Sequence, residues 1–337
     1  MKAVGYRASH PIDHPEALLD LTLETPVATG RDLLVRVEAV SVNPVDTKMR
    51  LRSQPGPGEA KILGWDAAGV VEAAGPDATL FKPGDKVFYA GAIGRSGTNA
   101  EFHLVDERIV GRRPETLSIA EAAAMPLTAI TAWEALFDRL DIRRPVPGAA
   151  NALVIVGGAG GVGSMAIQLA KQLSDVTVIA TASRPETQAW AKELGADHVV
   201  DHGKPLAQEV AKLGIGAPAF VFSTTQTDRH FDEIVELIAP QGRFGLIDDP
   251  APIDVMKLKR KSVSLHWELM FTRSIFGTAD MIAQHELLNE VSRLVDAGRL
   301  RTTLAEQFGS INAANLKKAH ALLESGKARG KIVLEGF

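Results

Sequence analysis

The chain contains no cysteine. That excludes disulfide frameworks, thiolate catalysis, iron–sulfur clusters and cysteine-ligated zinc. Aromatic residues make up only 5% of it, with two tyrosines, which argues against a stacking platform for single-stranded nucleic acid. An excess of charge of one sign is also lacking. The 37 basic and 41 acidic residues leave a formal net charge of −4, so no long-range attraction to nucleic acid or an anionic membrane is expected. No stretch approaches the roughly 18 consecutive apolar residues of a membrane-crossing helix. The first twenty residues lack the charged head, apolar run and small-residue cleavage site of a secretory leader, so a cytoplasmic protein is expected.

What is present looks like an ordinary globular protein. The composition is 45% hydrophobic and 23% charged, which rules out disorder and collagen-like repeats. At about 150 residues per domain, 337 residues predict two domains or one composite.

Three blocks follow one another. Up to about residue 120 there are short alternating runs broken by Gly and Pro, such as 34–40 and 100–105. Lys82-Pro83-Gly84-Asp85-Lys86 is a turn signal, and this block reads as an antiparallel or barrel-like β domain. From about 121 to 268 strands alternate with helices. Strands are expected at 152–156, 176–180, 198–200, 219–223, 243–247 and 263–265. Six of them predict a doubly wound parallel sheet in the order 3-2-1-4-5-6. After about residue 280 come two amphipathic helices, 281–297 and 313–325, and a strand at 331–334. This tail is expected to pack back on the first block.

Gly158-Ala159-Gly160-Gly161-Val162-Gly163 satisfies G-x-G-x-x-G. The pattern alone is weak, but here it follows a strand and opens a helix, the context in which it binds a dinucleotide. Gly158 and Gly160 let the backbone turn and approach a pyrophosphate, and Gly163 lets the helix pack on the strand. The helix N-terminus then offers free N–H groups and a positive dipole end. The plainer alternative is a tight strand–helix turn. At the end of the next strand, Thr181-Ala182-Ser183-Arg184 has no carboxylate for a ribose 2′-OH. The hydroxyl of Ser183 and the guanidinium of Arg184 suit a 2′-phosphate, so NADPH is expected over NADH. The alternative is that Arg184 is a solvated residue at a helix start.

These residues lead to a family. The chain resembles the medium-chain dehydrogenase/reductases, specifically their zinc-free quinone oxidoreductase (zeta-crystallin-like) branch, often named zinc-type alcohol dehydrogenase-like. The resemblance covers nearly the whole chain. It is carried by Asn43-Pro44-Val45-Asp46, Gly64-Trp65-Asp66-Ala67-Ala68-Gly69-Val70-Val71, Pro83-Gly84-Asp85, the run from Gly157 to Lys171 with Gln168, Gly195-Ala196-Asp197, and Gly330-Lys331-Ile332-Val333-Leu334. It implies an α/β architecture: a Rossmann doubly wound parallel sheet at 125–268, and a GroES-like β-rich catalytic domain at 1–124 completed by 269–337. The active site is implied in the cleft between them.

The resemblance also assigns residues. Asn43 donates to a substrate oxygen, and Asp46 supports the nicotinamide or a water chain. The alternatives are an Asn43 bonded to its own backbone and an Asp46 paired with Lys48 or Arg50. Thr128 stands near the nicotinamide ribose, unless it is only a helix-start hydroxyl. His202 lies near the adenine ribose, Leu246 and Ile247 contact the cofactor, and Lys331 reaches the pyrophosphate. Trp65, Met125, Trp267 and Phe271 form the substrate wall, or simply pack in the core. In relatives the sixth strand pairs with its twin, so a homodimer is implied.

Zinc-using members carry a Cys in the segment where this chain has Asn43 to Asp46, and a Gly-His-Glu where it has Gly64-Trp65-Asp66. Their four-Cys lobe falls near 90–100, where this chain has Gly91-Ala92-Ile93-Gly94-Arg95-Ser96-Gly97. An indole nitrogen is only a donor, so no zinc is expected. His10 and His14 are four apart, but Pro11 and Pro15 forbid the helix that would align them. His198 and His202 are not brought together by strand alternation. Residues 50–60 also lack the tyrosine often found there in quinone reductases, which leaves water to deliver the proton.

Without a Lewis acid a saturated ketone is hard to polarise. A quinone or α,β-unsaturated carbonyl spreads the developing charge itself. The expected function is therefore an NADPH-dependent, zinc-independent reductase of quinones or enones. The alternatives are an NADPH-binding redox sensor or structural protein with little turnover, and an alcohol dehydrogenase.

Overall fold

The alternating run around Val37 becomes an eleven-residue strand, Asp32–Val42, and the β-rich part of the chain is organised on it. One edge pairs with Ala67–Ala74, with two bulges that bend the ladder. The other edge is shared by Phe102–Asp106 and the C-terminal Lys331–Glu335. The tail thus completes the first block, with Ile332 opposite Val42. The computed structural model describes all 337 residues and divides into two units. Met1–Ile130 with Phe271–Phe337 is one, and Thr131–Met270 the other. The expected divisions were 124/125 and 268/269.

In the second unit six parallel strands lie in the order third, second, first, fourth, fifth, sixth. Ala150–Val156 is the central first strand, and its last five residues are buried, as a strand covered on both faces requires. Val154, Val156, Ile179, Phe231, Ile234 and Phe244 belong to one core cluster beside it. The sixth strand, Ser264–Trp267, pairs only with the fifth. No helix of the protein is long and apolar enough to cross a membrane.

Two local features were not legible in the sequence. Pro44–Arg52 is a helix, started by Pro44 at its first turn after Asn43. Glu134–Arg139 continues the helix Pro126–Trp133 as a π-turn. Within the second unit the π-turn's Glu134 is buried against Glu268, and Arg139 Nε donates to Glu268 Oε2 at 2.8 Å. Glu268 Oε1 faces no donor. Burial, and then the neighbouring Glu134, push the Glu268 carboxyl up to about 9, so it stays protonated and bonds Glu134.

That proton has a thermodynamic signature. An unfolded glutamate ionises near its ordinary value of about 4.3. The folded state therefore binds more protons than the unfolded state between about pH 4 and pH 9, and stability falls as pH rises through that window. Glu268→Gln is neutral in both states and keeps the shape. Its unfolding free energy relative to wild type should climb from pH 5 to pH 9 and then level, with a slope of at most about 1.4 kcal/mol per pH unit. Parallel unfolding free energies for the two proteins across that range would refute the protonated pair.

Candidate functional site

The glycine elbow stands at the C-terminal end of the first parallel strand. Gly157 leaves the strand in the left-handed region, at φ +83°. A Cβ on Gly163 would lie 2.3 Å from the Gly157 carbonyl oxygen and 2.8 Å from the Gly158 Cα. Both are backbone atoms, so only glycine lets the helix Gly161–Leu173 start this close to the strand. The N-cap residue Gly160 supplies no side-chain cap, and the first-turn N–H groups are left for an anion. Gly160 is exposed, Gly161 and Val162 are half-buried, and Ala159 is buried.

Neighbouring strands pin this loop. Gly158 N donates to Thr181 O at 3.0 Å, and Gly157 N to Thr181 Oγ1 at 3.0 Å. On the other side Thr224 Oγ1 donates to Val156 O at 2.8 Å. Thr181 and Thr224 escaped the sequence reading; a hydroxyl ending each strand flanking the central one was the available signal.

At the end of the second strand Ser183 is exposed and Arg184 half-buried, and no carboxylate stands among residues 181–184. Arg184 precedes the helix Pro185–Glu193, and its Nε lies 3.2 Å from Glu186 Oε1. That partner was not foreseen. His202, after the third strand, places Nδ1 2.8 Å from Thr181 Oγ1. Leu246 ends the fifth strand and is buried, and Ile247 N donates to Ser223 O at 3.3 Å. The elbow, Ser183, Arg184, His202, Leu246 and Ile247 thus all follow C-terminal ends of parallel strands, where such sheets bind ligands.

In the first unit Asn43, Asp46, Asp66 and Lys331 are buried together. Lys331 Nζ donates to Asp66 Oδ2 at 2.9 Å, to Val42 O at 3.1 Å and to Asn43 Oδ1. Asn43 Nδ2 donates to Asp66 Oδ2 at 2.8 Å and to Ser41 O at 3.3 Å. Leu127 N donates to Asp66 Oδ1 at 2.8 Å. Burial raises the Asp66 carboxyl's proton affinity, and the Lys331 ammonium opposes it.

Two expectations are corrected here. Lys331 was to reach a pyrophosphate, but it is 3% exposed and its three hydrogens are directed to three internal acceptors. Asn43 was to donate to substrate, but its amide group bonds Asp66, Ser41 and Lys331. It holds the cluster together instead.

The Asp46 carboxylate pairs with neither Lys48 nor Arg50. Its Oδ2 accepts from Asn43 N at 2.6 Å, and its Oδ1 is buried without a partner. Burial pushes its carboxyl up to about 7. Arg50 bonds Glu324 and the His10 carbonyl. Thr128 is buried, and its hydroxyl donates to Met125 O at 3.0 Å, as a hydroxyl in a helix's first turn does. Trp65, Met125 and Phe271 are buried, with Phe271 edge-on to Trp65 at 6.2 Å. Trp267 is not a buried wall residue, because it is 55% exposed on the sixth strand.

The residues at the zinc-ligand positions do not fit zinc. The Trp65 indole N–H donates to Ala92 O at 3.4 Å, and both Asp66 oxygens accept from this chain. No group of three or more His, Cys, Asp or Glu is placed to hold a metal. His10 and His14 do align, contrary to expectation. Their rings stack with centroids 3.8 Å apart, brought together by turns and not by a helix.

Comparisons with known proteins place this geometry. The alcohol dehydrogenase GroES-like domain family matches residues 29–126, and the zinc-binding dehydrogenase family residues 194–334. A zinc-type alcohol dehydrogenase-like protein of Staphylococcus aureus (strain MSSA476) is 40% identical over 340 residues, covering 99% of each chain. A solved structure from Rhizobium etli CFN 42, described as of the zinc-dependent alcohol dehydrogenase type, is 68% identical with a TM-score of 0.99. It is matched over 100% of this chain and 98% of its own. The quinone oxidoreductase of Coxiella burnetii is 27% identical with a TM-score of 0.80, over 100% and 99% of the two chains. The chain belongs to the medium-chain dehydrogenase/reductase superfamily of oxidoreductases, among its zinc-type alcohol dehydrogenase-like proteins.

Proposed function

We propose that the protein is an NADPH-dependent, zinc-independent reductase acting in the cytoplasm on quinones or α,β-unsaturated carbonyls. One observation carries the reading: the position that holds metal ligands in zinc-using relatives is closed by the Asp66–Lys331 ion pair. With that residue set, a substrate whose own conjugation spreads the charge after hydride addition is favoured over a simple alcohol. The bound nicotinamide supplies the hydride. The chain's part is to hold the dinucleotide: the first-turn N–H groups of Gly161–Leu173 face its phosphates, and Ser183 and Arg184 take the 2′-phosphate. The unpaired edge of Ser264–Trp267, with Trp267 and Leu269 exposed, supports pairing with a second copy.

A second reading, an NADPH-binding sensor with little turnover, is favoured by the internal bonding of Asn43 and Lys331, which leaves neither side chain free to polarise a substrate.

The test is NADPH oxidation by purified protein against a panel of quinones and alkenals. Turnover with several acceptors supports the reductase; background rates throughout favour the sensor. For the cofactor, Arg184→Ala should weaken NADPH about tenfold or more, the size of a lost charge-assisted bond, and leave NADH within about twofold. Equal losses for both nucleotides would refute the 2′-phosphate assignment.

A further inference from the structure

Within the β-rich unit the helix Ala313–Glu324 packs on the helix Pro44–Arg52. Ala313, Leu316, Ala319 and His320 are its buried positions, the spacing of one inward face. His320 is 0% exposed, and neither ring nitrogen has a hydrogen-bond partner. A neutral imidazole carries one N–H donor and one acceptor nitrogen, so both are taken from water here with nothing in return. Phenylalanine would fill similar space without a polar atom. Packing alone does not ask for histidine.

Arg50 of the facing helix stands over the same face. Its side chain is fully buried, and its Nη2 bonds Glu324, one turn after His320. Its Nη1 donates to His10 O at 3.0 Å, and its Nε faces no acceptor. Glu324 thus already answers Arg50. Burial, and then the Arg50 charge, hold the His320 ring down to about 3. The other charged groups around the contact are committed elsewhere. Tyr6 and Asp13 act on Arg50, and Asp46, one turn before it, accepts from Asn43 N. On the strand packed against Ala313–Glu324, Lys331 turns to Asp66, Asn43 and Val42, and Glu335 is exposed. Lys317 donates to Pro15 O.

We propose that His320 makes the helix Ala313–Glu324 an acid-released latch: with a neutral imidazole it seats on Pro44–Arg52, and with a protonated one it lifts off. A proton on the seated ring would set a second buried cation beside Arg50, with both N–H groups unanswered. Lifting lets both cations reach water. The helix uncovered is the one whose first turn holds Asp46 and whose N-cap is Asn43, so acid loosens what lies behind that buried cluster.

Hydrogen exchange of the full chain tests this, corrected for the intrinsic pH dependence of exchange. An imidazole released to water recovers its ordinary value of about 6.5. The opening constant of Ala313–Glu324 in wild type, relative to that in His320→Phe, should therefore rise about 25-fold from pH 7 to pH 5. Asp46, Asp13 and Glu324 titrate in both proteins, so the ratio reads His320. Protection of Ala150–Val156, in the other unit, should change equally in the two proteins.

A ratio that stays constant with pH would overturn the latch. So would an equal wild-type excess of opening in Ala150–Val156, which would mean global unfolding instead. Where His320→Phe does not fold, His320→Leu takes its place. Wild type alone gives an independent reading: the His320 ring proton resonances of the folded protein should not titrate above pH 5, and a midpoint near 6.5 would overturn the proposal.

Discussion

Replacing Lys331 by methionine should destabilise the β-rich unit by about 3–5 kcal/mol, the range for removing one partner of a buried ion pair. Methionine approximates the stem but brings no charge, so Asp66 keeps its burial and loses its counter-ion. The loss does not stop there. The Lys331 ammonium also opposes the proton affinity of Asp46, and it bonds Asn43, the residue that links the two aspartates.

The sign of the pH dependence follows. Without the ammonium both carboxyls favour the neutral form more strongly, so the variant's deficit should be largest at high pH and shrink as pH falls towards 5. Denaturant unfolding at pH 5 and pH 8 measures it. Asp66→Asn in the Lys331→Met background should recover part of the loss, because the charge left behind is then gone. A deficit independent of pH, with no recovery in the double variant, would show that Lys331 contributes through packing alone.

The same cluster explains what the sequence could and could not reveal. The six parallel strands were legible because burial on both faces writes itself as continuous apolar runs, as at Ala150–Val156. The elbow was legible because close backbone approach leaves glycine as the only solution at Gly163. Lys331 was not, because its partners lie far off in sequence, at Asn43 and Asp66, and a lysine opening a strand looks solvated.

The helix Pro44–Arg52 was hidden for a related reason. Asp46, Thr47 and Arg50 are its buried positions, so its inward face carries no apolar period. Arg50 is satisfied by Glu324 from the far end of the chain. Trp267 shows another limit of the sequence. An aromatic residue near a site suggests a wall, yet this one lies on an unpaired strand edge, and strand order is a property of the assembled sheet.

Gly163→Ala should abolish tight nucleotide binding and also lower the stability of the parallel-sheet unit. The added methyl would lie 2.3 Å from the Gly157 carbonyl oxygen and 2.8 Å from the Gly158 Cα. Neither atom can rotate aside, so the helix must move away from the strand, at about 1–3 kcal/mol for overpacking. Its first-turn N–H groups move with it. A displacement of about 1 Å is enough to lose contacts of about 1.5–3 kcal/mol each to a charged group, so a loss of affinity of about a hundredfold is expected for NADPH and NADH alike.

Gly160→Ala isolates the ligand's part of that effect. Its φ is −71°, and the nearest atom to the new methyl is the Gly157 oxygen at 3.5 Å, an ordinary contact. The free protein should therefore melt as wild type does. Because Gly160 is exposed, the methyl would stand where the backbone is to meet the pyrophosphate, and affinity should fall about tenfold. Thermal melts and nucleotide titrations on the two variants separate the cases. If Gly160→Ala binds both nucleotides as wild type does, the pyrophosphate does not approach the elbow at that residue, and the dinucleotide must be held in some other way.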